Sequence, residues 1–208
     1  MGKLDQGLLG GYSGKLGTTV GATWKGINVV RTYQPNVANP NTVKQQNHRS
    51  LFKDWITIAT FLLNSHIKPL WDSRAKRMSG YNAFIQANML HASPDGIVDP
   101  ELFILSQGRI GPQEGMASNL NTNGDIQFSW DSSDLPLYGS SDDELYAVFL
   151  NAEGEVIGSA AEAAIRSENT VSIPKPVSSD TEEVYAAVAW RSPDGKFQSN
   201  TQHFYIIK

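Results

Sequence analysis

The first 34 residues alternate short runs of strand-forming residues with glycines. Eight glycines in this stretch disfavour a helix. The runs between them, at 18–20, 22–24 and 27–33, are rich in β-branched and aromatic residues. The pattern predicts two or three short strands, with tight turns at 13–15 and 25–26. Because an isolated hairpin is only marginally stable in water, we expect these strands to pack on something else or to pair with another chain.

The segment 35–93 changes to the apolar spacing of an amphipathic helix. Thr42 followed by Gln45 is a capping-box pattern at a helix start. The residues after it predict one helix of about 22 to 24 residues that ends before Pro69. The apolar stripe of this helix is formed by Leu51, Trp55, Ile58, Ala59 and Leu62.

Two shorter helices complete this segment. We expect one over 70–77 and another over 81–90, with Ser79 as the N-cap of the latter. A turn-forming cluster at 93–96 ends the helical pattern. The sequence therefore predicts an N-terminal domain over 1–93 that combines a glycine-rich β-hairpin with helices.

Residues 94–208 alternate apolar and polar positions in short runs separated by glycine, proline and aspartate. This pattern predicts six or seven strands of an all-β antiparallel sandwich, immunoglobulin-like or fibronectin-like, as a second domain. The fold class is therefore expected to be α+β. The alternation assigns inward-facing positions to Ile126, Phe128, Trp130, Val184, Ala186, Val188 and Trp190.

Charge divides at the same boundary. Residues 1–93 hold eleven Lys and Arg against three acids, a net charge of +8, whereas residues 94–208 hold six against eighteen, a net charge of -12. This asymmetry supports the two predicted domains and indicates that they face different partners or each other. No apolar stretch has the roughly 18 residues of a membrane helix. Without a signal-peptide pattern at the N-terminus, we expect synthesis in the cytoplasm.

The residue types that catalysis needs are scattered or missing. The chain has no cysteine, which excludes disulfides and thiolate chemistry. A phosphate-binding loop ending at Lys15 would need glycine where Leu9 stands and serine or threonine where Leu16 stands. We therefore expect no catalytic residue and no cofactor, and the protein is not expected to be an enzyme.

Metal ligands are equally dispersed. The four histidines do not share a zinc-binding spacing, and we expect each to be solvated or to cap a helix. The acidic loop 139–144 lacks the EF-hand pattern, and calcium binding there stays an open alternative. No metal site is therefore assigned. The histidines are His48, His66, His91 and His203.

Several short motifs resemble those of an uncharacterised family of Bacteroidetes proteins, known only as a domain of unknown function. The motifs are GYSGKLG at 11–17, VG at 20–21, WKG at 24–26, VR at 30–31, NPNT at 39–42, FSW at 128–130, DD at 142–143 and SN at 199–200. The pattern from Asn39 to Arg49 is also similar to segments of phage and prophage structural proteins. The family resemblance implies no activity, catalytic residue or cofactor.

Three functions are compatible with these observations. The first is a structural or assembly protein, of phage or prophage type, that acts through contacts with other subunits as a homo-oligomer or particle component. The second is a nucleic-acid-binding accessory protein that uses the basic N-terminal half. The third is a carbohydrate- or surface-binding module with Trp130, Trp190 or Tyr138 as stacking platforms. The residues predicted to bind a partner are Lys15, Trp24, Lys25, Arg31, Lys44, Arg49, Lys53, Arg74 and Arg77.

Overall fold

The structure, a computed structural model, describes residues 3–4, 11–36, 40–90, 98–122, 124–175 and 183–207. The chain divides into two units, Met1–Thr42 and Val43–Lys208. The predicted boundary at 93–96 lies outside the described residues. The units nevertheless differ from the predicted domains, because the helices share one hydrophobic core with strands of the C-terminal part.

The first unit contains an antiparallel sheet whose four strands follow one another in chain order. The third and fourth strands pair over their full length, so the strand-forming runs between the glycines become strands as predicted. The strands are β1 (Lys3–Leu4), β2 (Tyr12–Leu16), β3 (Thr19–Trp24) and β4 (Ile27–Thr32).

The hairpin turns of this sheet agree with the prediction at one position only. Lys25 and Gly26 form the β3–β4 turn, both with positive φ (46° and 80°), as a type I′ hairpin turn requires. The predicted turn at 13–15 is wrong, because Gly14 lies within β2 opposite Gly21. The chain reverses instead at Gly17, whose φ is 59°.

The second unit begins with a continuous helical segment. It consists of α1 (Val43–Leu62), a π-helical turn (Leu63–Ile67) and α2 (Lys68–Trp71). The prediction that the helix ends before Pro69 is wrong. A proline within an α-helix removes one hydrogen bond and clashes with a carbonyl one turn earlier, and here the wider π turn precedes it. The short helix predicted over 70–77 is reduced to α2.

A third helix, α3 (Gly80–Met89), begins where the sequence predicts it. The Ser79 side chain accepts a hydrogen bond from the backbone N–H of Asn82 at 3.3 Å, which confirms its role as N-cap. None of the helices in the described part of the chain is both long and apolar enough to cross a membrane.

Seven strands in the described part of the second unit form two antiparallel sheets, so the mixed α+β class is confirmed. The three-stranded sheet has the order β5–β6–β9, and the four-stranded sheet has the order β11–β10–β7–β8. The strands are β5 (Ala117–Leu120), β6 (Ile126–Ser129), β7 (Glu144–Leu150), β8 (Val156–Ala160), β9 (Thr170–Ile173), β10 (Glu183–Arg191) and β11 (Gln202–Ile207).

The two central strands of the four-stranded sheet, β7 and β10, are buried on both faces. In β7, Ala147 and Phe149 face the three-stranded sheet, where they pack against Phe128. The alternate residues Tyr146 and Val148 face the helices. The near-continuous apolar run from Leu145 to Leu150 is the sequence counterpart of this burial, since a strand covered on both sides has no polar face.

An aromatic cluster holds the helices on the sheet. Trp55 of α1 stacks on Phe103 at 5.7 Å between ring centroids, and Phe84 of α3 meets both rings edge to face. Trp71 contacts Phe84 from α2 at 5.9 Å. All four rings are buried, so the tryptophan on the apolar stripe of α1 is a core residue.

His66 also joins the helices to the sheet. Its ring is 1% exposed, and its Nε2 lies 3.2 Å from the carbonyl oxygen of Ala147 and 3.1 Å from that of Ala160. Two carbonyl acceptors require the proton on Nε2, so Nδ1 accepts from the Ser65 hydroxyl at 2.8 Å. The expectation of a solvated or capping histidine is wrong here. Burial lowers the pKa of His66, against the raising effect of the two carbonyl contacts.

Replacing Trp71 by Phe should destabilise the protein more than replacing Trp55 by Phe. Trp71 Nε1 donates a hydrogen bond to the Leu105 carbonyl at 2.8 Å, whereas Trp55 Nε1 has no partner among the described residues. Trp71→Phe leaves a buried carbonyl unpaired, which costs about 1–3 kcal/mol. Urea denaturation compares the two variants, and equal losses in the free energy of unfolding would contradict this role of the hydrogen bond.

His66→Gln should flatten the dependence of the free energy of unfolding on pH. Because burial lowers the folded-state pKa of His66 below its ordinary 6.5, the unfolded chain takes up the proton first. The contribution of His66 to the free energy of unfolding is therefore fully present above about pH 6.5. Below that pH the free energy of unfolding falls by up to about 1.4 kcal/mol per pH unit. Tyr146 faces the ring and donates to Glu162, and burial raises the pKa of Tyr146, so it stays neutral in this range.

Urea denaturation between pH 7.5 and pH 5 measures this effect. His48→Gln, at an exposed position on α1, is the matched control and should keep the wild-type pH dependence. An unchanged slope in His66→Gln would show that another group carries the pH dependence.

Candidate functional site

One face of the N-terminal sheet exposes apolar side chains. The strand register places Trp24 beside Ile27 and Ala22 beside Val29. Trp24, Ile27 and Val29 are 52%, 41% and 50% exposed, although large apolar side chains are normally buried. We call this surface the apolar sheet face and define it as Val20, Ala22, Trp24, Ile27 and Val29, with Lys15 and Arg31 in the same register.

The opposite face of the same sheet is more polar. The Tyr12 hydroxyl donates a hydrogen bond to the Thr19 hydroxyl, and the Thr23 hydroxyl donates to Asn28 Oδ1 at 2.7 Å. A Cβ at Gly21 would lie 2.7 Å from the Tyr12 ring, so glycine lets the ring lie across the strand. The apolar residues that this face exposes are Leu16 and Val30.

Four predicted partner-binding residues meet on or beside the apolar sheet face. Lys15 and Arg31 flank Val20 in one row across the strands. Trp24 lies on the same face, and the Lys25 ammonium is 5.5 Å from its ring centroid. The Lys15 ammonium is 3.7 Å from the Tyr33 ring centroid. Residues 11–36 contain no aspartate or glutamate, so every charged side chain of this segment is cationic.

Three other predicted residues lie on α1 of the second unit. Lys44, Arg49 and Lys53 are exposed there, away from the buried stripe that includes Leu51 and Trp55. The structure therefore assigns them to a different unit from Lys15, Trp24, Lys25 and Arg31.

The last two predicted residues lie in the loop between α2 and α3. Arg74 lines a cleft of about 790 Å³, whereas Arg77 is exposed in the same loop with φ of 59°. Lys76, Arg109 and Lys196 also line this cleft. We call this cleft, with its four cations Arg74, Lys76, Arg109 and Lys196, the basic cleft. No Asp or Glu is among the described residues that line it.

A buried glutamine holds the walls of the basic cleft together. Gln198 Nε2 donates to the Ser73 hydroxyl at 2.8 Å, and the Gln198 carbonyl accepts from the Ile110 N–H at 2.9 Å. Gly108 packs directly on the Gln198 backbone, where no Cβ would fit. Because the three cationic segments are distant in sequence, the charge pattern alone could not associate Arg109 with Arg74.

Lys196 is already partly neutralised at the edge of this cleft. Its ammonium lies 2.9 Å from the Asp194 carboxylate, an exposed ion pair that is worth little in water. The Ser192 hydroxyl, which donates to Asp194 at 2.6 Å, lowers the pKa of this carboxyl, and the Lys196 backbone N–H adds to that effect.

An acidic groove lies between α1 and the β7–β8 turn. Its volume is about 620 Å³, and it is lined by Asp54, Glu153 and Glu155 together with apolar residues. Phe61 lines it and is 63% exposed. The Asn151 amide shapes the turn by donating to the Glu155 carboxylate and accepting from the Glu155 N–H. We call this surface the acidic groove.

The acidic loop at 139–144 serves the core through Asp143. The Asp143 carboxylate and the Arg166 guanidinium form a fully buried ion pair at 3.2 Å. Arg166 also bonds to Gln113 and lies over the Trp190 ring at 4.1 Å. Burial lowers the pKa of Arg166, and the charge of Asp143 opposes this. No group of three His, Asp or Glu in the described residues is arranged to hold a metal ion.

The aromatic residues considered for carbohydrate stacking divide by burial. Trp130 and Trp190 pack edge to face at 5.1 Å and lie in the core, on the inward positions that alternation indicates. Tyr138 is 60% exposed and stacks on Phe197 at 6.0 Å. The two tryptophans therefore offer no surface to a sugar ring.

The model of one protein family, described as a family of unknown function (DUF6266), matches residues 11–205. This match agrees with the resemblance to an uncharacterised domain family. No curated protein and no solved structure matches the chain.

Proposed function

The chain belongs to the family DUF6266, and we propose that it is a non-enzymatic assembly protein that associates with further copies of itself through the apolar sheet face. The observation that carries this proposal is the exposure of Trp24, Ile27 and Val29 on one side of a single sheet. Burying a half-exposed apolar side chain gains on the order of 1 kcal/mol. Three such side chains in adjacent rows favour a protein contact over open solvent.

The strand order of the N-terminal sheet supports the same function. The sheet ends at β4, whose six residues are all exposed. An open edge strand next to an apolar face is a common docking surface for another protein chain. The lysines and arginine around the apolar sheet face keep the free chain in solution and restrict which partners fit.

The remaining features fit a particle subunit. We propose that the two sheets of the second unit form a fibronectin-like or immunoglobulin-like sandwich, because seven strands divide three to four in a Greek-key order. The resemblance of the segment from Asn39 to Arg49 to phage structural proteins supports a phage-type particle. The Bacteroidetes origin is an expectation from the same kind of resemblance.

The basic cleft favours a second candidate function, the binding of nucleic acid. Arg74, Lys76, Arg109 and Lys196 converge from three segments on one concavity. Several cations around one cleft are suited to binding the phosphates of a nucleic-acid chain. This function would use the second unit and leave the apolar sheet face to protein contacts.

Val29→Glu should weaken self-association at least about tenfold in Kd, because it places a carboxylate in the centre of the apolar sheet face. Val30→Glu is the matched control. Val30 is the next residue in β4, is 58% exposed and lies on the opposite face, so its substitution should leave association unchanged. Sedimentation velocity over a range of concentrations measures both. A wild-type protein that stays monomeric at all concentrations and salts would contradict the proposed function.

For the second candidate, we expect Arg109→Glu with Lys196→Glu to abolish binding of a fluorescent single-stranded DNA at 50 mM salt. Lys44→Glu with Lys53→Glu makes the same change of charge on α1 and serves as the control. Wild-type affinity should fall steeply between 50 and 200 mM salt. Fluorescence anisotropy measures these affinities, and equal losses in both double variants would assign any binding to net charge alone.

A further inference from the structure

The apolar sheet face and the acidic groove are complementary in two independent properties. Both combine exposed apolar side chains with charge of one sign. The sheet face carries Trp24, Ile27 and Val29 with Lys15 and Arg31. The groove carries the exposed Phe61 and the half-buried Ile58 and Val156, together with Asp54, Glu153 and Glu155.

The two units as wholes also carry net charges of opposite sign. Met1–Thr42 holds four Lys and Arg against one acid, a net charge of +3. Val43–Lys208 holds thirteen against twenty, a net charge of -7. Two sheet faces of like charge would repel one another, whereas the sheet face of one copy and the second unit of another copy attract.

On the premise of the proposed function, we infer that the apolar sheet face of one copy docks in the acidic groove of a second copy. The contact is heterologous, since each copy uses a different surface for each of its two neighbours. Lys15 and Arg31 would meet Asp54 and Glu153, and Trp24 would pack against Phe61. Repetition of this contact builds a ring or a filament, which is the kind of product that a particle component forms.

Charge reversal on either side should abolish the contact. Lys15→Glu with Arg31→Glu reverses the sheet face, and Asp54→Lys with Glu153→Lys reverses the groove. All four positions are exposed, so the substitutions leave the hydrophobic cores intact. We expect each double variant alone to sediment as a monomer, with at least about a tenfold loss of affinity.

Mixing the two double variants is the decisive measurement. In the mixture, the reversed, acidic sheet face of the first variant meets the reversed, basic groove of the second variant. The unchanged groove of the first variant likewise meets the unchanged sheet face of the second. Assembly should therefore return on mixing, and the rescue also shows that both variants are folded. Wild-type assembly should weaken as salt rises, because exposed charges are screened over about 8–10 Å.

Matched controls separate this contact from effects of net charge. Arg74→Glu with Arg77→Glu makes the same change of net charge as the sheet-face variant, but outside the sheet face. Glu114→Lys with Asp134→Lys makes the same change of net charge as the groove variant, but outside the groove. Both controls should assemble like the wild type. If the groove variant still assembles while Val29→Glu does not, the sheet face binds elsewhere on its partner, and this inference falls while the proposed function stands. If both double variants stay monomeric but their mixture does too, the inference is overturned. A wild-type monomer at all concentrations would overturn both.

Discussion

The second unit depends on a four-stranded sheet whose two central strands are apolar on both faces. β7 and β10 carry large apolar or small residues at nearly every position, so neither strand has a polar face that could be exposed to solvent. The three-stranded sheet covers one face and the helices cover the other. Removing either cover would expose a broad apolar surface to water. The helices are therefore part of the same cooperative unit as the strands, although they precede them in the chain.

Two buried ionisable side chains inside this unit are held by specific partners. The Arg166 guanidinium is paired with Asp143 and Gln113 beneath the Trp190 ring. His66 supplies a donor to two strand carbonyls. Such contacts add less to stability than the apolar burial around them, but an unpaired charge or donor in their place would be costly. They thereby restrict how the layers can be arranged.

The first unit has the opposite character. Of the residues described between 11 and 36, only Gly21 is buried, so the sheet has no interior of its own. The Tyr12 ring packs over Gly21 on one face, but Trp24 and Val29 on the other face stay open to solvent. Because this sheet has no core, its apolar side chains are open to a partner chain, and the proposed self-association is therefore assigned to it and not to the well-packed second unit.

The sequence by itself determined the local elements. Alternation identified the strands around Phe128 and Trp190, and helical spacing with a serine cap identified α3. The shared face of Lys15, Trp24 and Arg31 comes from the strand register, since the sequence pattern predicts a turn at Lys15. The tertiary structure decided what depends on distant neighbours. These features are the joining of the helices to the C-terminal strands, the burial of His66, and the convergence of Arg109 and Lys196 on Arg74. The charge count suggested a boundary near 93–96 because charge reports the surface of each segment, whereas the division at Thr42 follows from the shared core, which only the packed chain defines.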